Sequence, residues 1–182
     1  MLNEMDIERP KPSFFPSFVE CAPSATGAPP EVVSHWNPKR AGIDLLDARN
    51  GVRHFAEALA FSREIRAPYF LVCILKAMKV TGIGPMEKAF LRELVSKATA
   101  GGQGPQMSDQ EASSLIILHG CDIETIRGVE AAARDFILAA NRYRRPETIY
   151  GALMEWFRAP DSWVAEAVAL VICGAAMKGA MN

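Results

Sequence analysis

Three histidines and four cysteines are the side chains of this chain with most capacity for metal or nucleophilic chemistry. Their spacing decides what they can do. His119 and Cys121 make an isolated H-x-C, two potential ligands with no obvious third, and a structural zinc needs four. Cys21, Cys73, Cys121 and Cys173 lie far apart, so neither a zinc knuckle nor a C-x-x-C redox pair is present. No H-E-x-x-H occurs, nor the paired E-x-x-H of di-iron bundles. "TGIGP" and "AGGQGPQ" lack the Lys and Ser/Thr of a phosphate loop, and there is no G-x-S-x-G elbow. The expectation is no catalytic residue, no metal and no cofactor. His119 reads as the end of a helix, and His54 as a partly covered side chain on a helix flank. Cys73 and Cys173, inside apolar runs, read as small hydrophobes, and a reducing compartment is the simplest setting.

Basic residues offer a second kind of chemistry. The run "HGCDIETIRG", residues 119–128, resembles the turn and recognition-helix start of DeoR-type bacterial repressors, where a turn glycine precedes a polar cap and an E-T-[IV]-R run. The resemblance covers about twenty residues and implies a DNA-reading hairpin over 108–140, with Arg127 as its natural base or phosphate contact. The chain departs from that pattern at three positions. Ile116 stands where the helices should cross closely, His119 where an apolar residue is usual, and Gly128 in place of a second arginine. Asp122 and Glu124 on the same face would repel phosphates. The expectation is therefore two packed helices. Arg142, Arg144 and Arg145 in "NRYRR", with Tyr143 between them, are the other residues that nucleic acid would use. A solvated helix end complementing its own dipole explains them more simply.

Aromatic residues supply the third signal. Seven of the twelve prolines precede Lys39, and that density blocks helix and central strand alike. Residues 1–40 are thus expected to form an extended, Pro-rich arm or a disordered tail. It carries Phe14, Phe15, Phe18 and Trp36, rings that favour burial. They are the candidate partner-binding residues, docking either on the chain's own body or on a second molecule.

Elements that position these groups follow from periodicity. In residues 41–182, Val52, Phe55, Ala56 and Leu59 mark one apolar stripe. Tyr69–Leu75 is an unbroken apolar run whose lysines and Gly82 favour a helix over a buried strand. Pro85 opens a helix faced by Phe90, Leu91, Leu94, Val95 and Ala98. Ser108 and Glu111 form a capping box, and Asp122 caps the following helix through Ile126, Val129, Ala133, Ile137 and Ala140. Pro146 begins a short helix, and Asp161 or Ser162 caps an almost wholly apolar one. Such a helix is buried on every side, within a bundle or at an oligomer interface.

The fold class expected is all-α: a single-domain bundle of about seven helices over 41–182 behind the arm of 1–40. A net charge of -1 gives no bulk attraction to nucleic acid or anionic lipid. The acidic start, "MLNEMDIERP", has no signal-peptide pattern, which points to a cytoplasmic protein without a membrane partner. The function expected is a non-catalytic interaction or assembly module, acting through the arm and apolar helices on a protein partner or another copy. A DNA-binding regulator using 108–140 is the alternative. A helical enzyme or small-ligand binder with a pocket between helices is the third reading.

Overall fold

The computed structural model describes residues 15–23, 30–100, 107–158 and 162–178. From Gly42 to Lys178 its regular structure is helical, in seven helices: α1 (Asp44–Glu64), α2 (Tyr69–Thr81), α3 (Pro85–Ala100), α4 (Asp109–His119), α5 (Ile123–Arg142), α6 (Pro146–Arg158) and α7 (Trp163–Lys178). The architecture is an all-α bundle. Tyr69–Leu75 lies in α2, with Leu71, Val72, Ile74 and Leu75 fully buried.

Boundary chemistry acts where the residues imply it. Ser108 and Glu111 satisfy each other's backbone N–H groups at the start of α4. Asp122 accepts from the Thr125 N–H at 2.8 Å, and Ser162 accepts from the Ala165 N–H at 3.2 Å. Gly120 ends α4 in the left-handed region, φ 68°. α1 and α5 end differently, each with an arginine in that region, Arg66 at φ 54° and Arg144 at φ 51°. In both, the backbone closes two carbonyls of the last turn (Ala67 N–H to Ser62 O, Arg145 N–H to Ala140 O), and a proline then opens the next helix.

Helix α7 is the axis of the bundle. Ala167 and Ala169–Ala176 are buried, and the helix packs against α1, α2, α3, α4 and α5. Its burial lies inside this chain. Among the described residues no helix is long and apolar enough to cross a membrane.

The stripe on α1 differs from the expected one. Phe55 and Leu59 are buried, but Val52 is 45% exposed and Ala56 faces solvent. Gly51, His54, Ala58 and Ser62 take the inner positions instead. Gly51 lets α3 approach so closely that a Cβ there would strike the Met86 carbonyl. His54 is only 4% exposed, a core residue where a helix flank was expected, because the arm covers it.

The described residues of the arm also hold regular structure, where an extended segment was expected. β1 (Glu20–Ala22) and β2 (Glu31–Ser34) pair antiparallel, Cys21 opposite Val32, with a bulge after Glu20. Both strands fall between prolines, and a two-stranded ribbon has only edges, where missing donors are tolerated.

Candidate functional site

The four aromatic residues of the arm have separate fates. Phe18 and Trp36 are each 1% exposed, with ring centroids 5.0 Å apart, and both contact the His54 imidazole edge-on. Trp36 also packs on Phe90, and its indole N–H donates to Glu87 at 2.9 Å. Glu87, wholly buried in the first turn of α3, further accepts from the Arg40 guanidinium at 2.7 Å and the Gly84 N–H at 2.9 Å. Phe15 packs on Phe61 of α1, their centroids 5.4 Å apart. Phe14 lies outside the described residues. Ser17 donates twice to Glu57, at 2.6 and 3.0 Å, which fixes the start of the arm to α1. Phe18 and Trp36 thus dock in cis.

The four arginines also divide. Arg127 is engaged within the chain: it donates to Glu130 (2.8 Å), Asp109 (2.7 Å) and the Met107 carbonyl (2.7 Å). Glu130 is 1% exposed and also accepts from Arg134 and the Met107 N–H. This ion cluster around the buried Glu130 ties the start of α4 to α5, so the Arg127 guanidinium is engaged within the chain. Arg142, Arg144 and Arg145 are all exposed, and no carboxylate among the described residues pairs with them. The Arg142 guanidinium lies 5.9 Å from the centre of the Tyr143 ring, itself 65% exposed.

One cluster of acid and base groups escapes a reading of local spacing. Glu166, the sole carboxylate on α7, is 5% exposed. It accepts from the Tyr69 hydroxyl at 2.7 Å and the Lys76 ammonium at 3.2 Å, with His119 Nε2 at 3.5 Å. Tyr69, Cys73 and Lys76 share a face of α2 at i, i+4 and i+7. Burial and then the Glu166 hydrogen bond push the Tyr69 phenol far up, so it stays protonated. Burial raises the Cys73 thiol too, against the pull of Lys76, which keeps it from acting as a ready thiolate. A cleft of about 420 Å³ opens beside Cys73 and Lys76, lined also by His35 of the arm. Both oxygens of Glu166 are occupied, so the arrangement anchors α7 to α2 and to the end of α4. The signal for it in the sequence is the lone acid inside an apolar helix, which must find partners once buried. The H-x-C of the sequence is divided by the turn: His119 turns to Glu166, and the Cys121 thiol rests on the Leu115 carbonyl at 3.6 Å. Among the described residues no group of three potential ligands surrounds a metal position.

An uncommitted surface lies on α5. Its inner face, Ile126, Glu130, Ala133, Ile137 and Ala140, is buried. One flank beside it stays open: Thr125, Gly128, Ala132, Phe136, Ala139 and Tyr143 are all exposed, and none is charged. Phe136 is 37% exposed, and a Cβ added at Gly128 would meet nothing within 4 Å. These positions recur every three or four residues, the spacing of a helix-packing seam. Beyond the Gly120 turn, α4 exposes Ile117 (82%) and Leu118 (63%). The residues of this flank are uncharged and mostly small, so their spacing announces no chemistry. The visible sign is that α5 is free of charge over more of its circumference than its own packing requires.

No family model, curated protein or solved structure matches this chain.

Proposed function

We propose that this protein is a non-catalytic interaction module whose contact surface is the open flank of α5, with the arm acting as an internal clasp. One observation carries the reading. A six-position uncharged seam, at helix-packing spacing and with Phe136 and Tyr143 among its members, is left uncovered by the described residues. Exposed apolar residues scattered singly are ordinary, but an aligned set on one helix is what a partner helix or groove engages. The arm supports the division of labour. Phe18 and Trp36 spend their apolar surface on α1 and α3, so the surface left for a partner lies elsewhere.

A photo-crosslinking residue at Ala132 tests this in cells, with the same residue at exposed Lys88 of α3 as control. The expected result is a discrete protein adduct of defined mass from position 132 and none from position 88. Equal or absent labelling at the two positions would remove the surface from consideration.

A further inference from the structure

Resting on that reading, we infer that the partner is a second copy of this chain, docked α5 against α5 in antiparallel sense about a two-fold axis near residue 134. A two-fold contact must be self-complementary, each patch meeting its own copy in reverse. The flank of α5 meets this requirement in shape. Reversal about residue 134 sets the Phe136 ring of one helix over Ala132 of the other. It brings Tyr143 to Thr125, and Ala139 beside the open Gly128. Each ring thus faces a small or short side chain, which lets the backbones approach.

Charge makes the same choice of direction. Exposed Asp122 and Glu124 mark the start of α5, and exposed Arg142, Arg144 and Arg145 mark its end. The arginines have no ion-pair partner among the described residues, nor has Glu124. Antiparallel docking lays the acidic end of each copy on the basic end of the other, whereas parallel docking stacks three arginines on three. The helix macrodipoles also oppose in the antiparallel arrangement. Twenty residues of helix span about 30 Å, and a single helix pair covers less than the ~800 Å² per partner of a standard interface. The dimer is therefore concentration-dependent and weakened by salt.

Charge exchange tests the pairing and its direction together. Glu124→Arg and Arg144→Glu are both exposed changes, and circular dichroism checks that each variant keeps its helices. Sedimentation of the wild-type chain up to about 200 μM, a range suited to weak interfaces, is expected to show a monomer–dimer equilibrium that shifts to monomer at high salt. Each variant alone places like charges at both ends and is expected to weaken the dimer by about tenfold or more. An equimolar mixture restores opposite charges at both ends of a mixed pair and is expected to recover the wild-type mass. Gly128→Glu, which fills the open position, abolishes the dimer without rescue by mixing. A wild-type chain that stays monomeric throughout, or variants that fail to rescue each other, would overturn the self-pairing. If position 132 then still crosslinks a different protein in cells, the interaction reading survives and only the identity of the partner falls. If position 132 crosslinks nothing, both fall.

Discussion

His54 shows how one side chain can set a pH response for the whole clasp. Its imidazole is enclosed by Phe18 and Trp36, and Nδ1 has no hydrogen-bond partner. Burial, only partly offset by Glu57, holds its pKa below the ordinary 6.5. The unfolded chain therefore takes up that proton more readily than the native one. The contribution to stability is complete above 6.5 and is lost as pH falls beneath it. Burial shifts His35 in the same direction. Glu87 acts lower on the scale. Burial alone would raise its carboxyl, but donation from Trp36, Arg40 and the backbone outweighs burial and holds it below its usual 4.5. Its contribution is present above 4.5 and disappears as pH drops through the depressed value. Stability should accordingly fall with pH over two separate ranges, the first below 6.5 and the second below 4.5. Replacing His54 by Phe keeps a ring against Phe18 and Trp36 and removes the proton site. Urea denaturation of this variant is expected to show a shallower loss of stability between about pH 6.5 and 5 than wild type, the remainder belonging to His35. An unchanged slope would show that His54 is not the group responsible.

At the scale of the helix, two backbone positions make opposite predictions. Gly51 sits where α1 crosses α3, and a Cβ there would collide with the Met86 carbonyl, a backbone atom that cannot swing away. Gly51→Ala, normally helix-favouring, is expected to destabilise by about 1–3 kcal/mol through overpacking. Arg66 is a left-handed residue with a Cβ, and Arg66→Gly is expected to stabilise by up to about 1 kcal/mol. Chemical denaturation midpoints read both, and a stabilised Gly51→Ala would mean that the two helices cross further apart. Much of this layer was legible in the residues themselves. Ser108 with Glu111, Asp122, Pro85, Pro146 and Gly82 are local signals, and each acts at its own helix end. The face of α1 was not legible from its own residues. Val52 and Ala56 fit a stripe as well as Gly51 and Ala58 do, and the choice is made by two distant partners, the arm and α3. The Glu166 cluster is hidden for the same reason, since its members come from three helices. The flank of α5 is hidden for another: openness to solvent is a property of what fails to pack there, and no residue type announces it.

Across the whole molecule, the clasp joins the first described residues to the middle of the chain. Phe18 and Trp36 fill the space over α1 and α3, and Glu87 receives Trp36 and Arg40 together. Burial of each ring is worth roughly 1.5–3 kcal/mol. Removing residues 1–38 is expected to lower the melting temperature by roughly 6–24 °C, given the 2–4 °C per kcal/mol usual at this length. Unchanged melting would show that the arm rests on the bundle without holding it. The α5 flank lies on other elements. A point change that loosens the clasp without unfolding the bundle, such as Ser17→Ala, should therefore leave the self-association constant as it is.

The place of α7 in the chain bears on how the protein is made. The helix on which five others pack leaves the ribosome after all of them. While it is still being synthesised, at about 5–20 residues per second, α3 and α5 already exist without the surface that will cover them. The leucines and isoleucines that face α7 are then open to solvent or a chaperone for seconds in every round of translation. The α1–α3 pair can form before α7 is made, but the surfaces of α3 and α5 that face α7 stay open until it arrives. A chain interrupted before Trp163 is therefore expected to expose those apolar faces and to be cleaved by protease faster than the full chain.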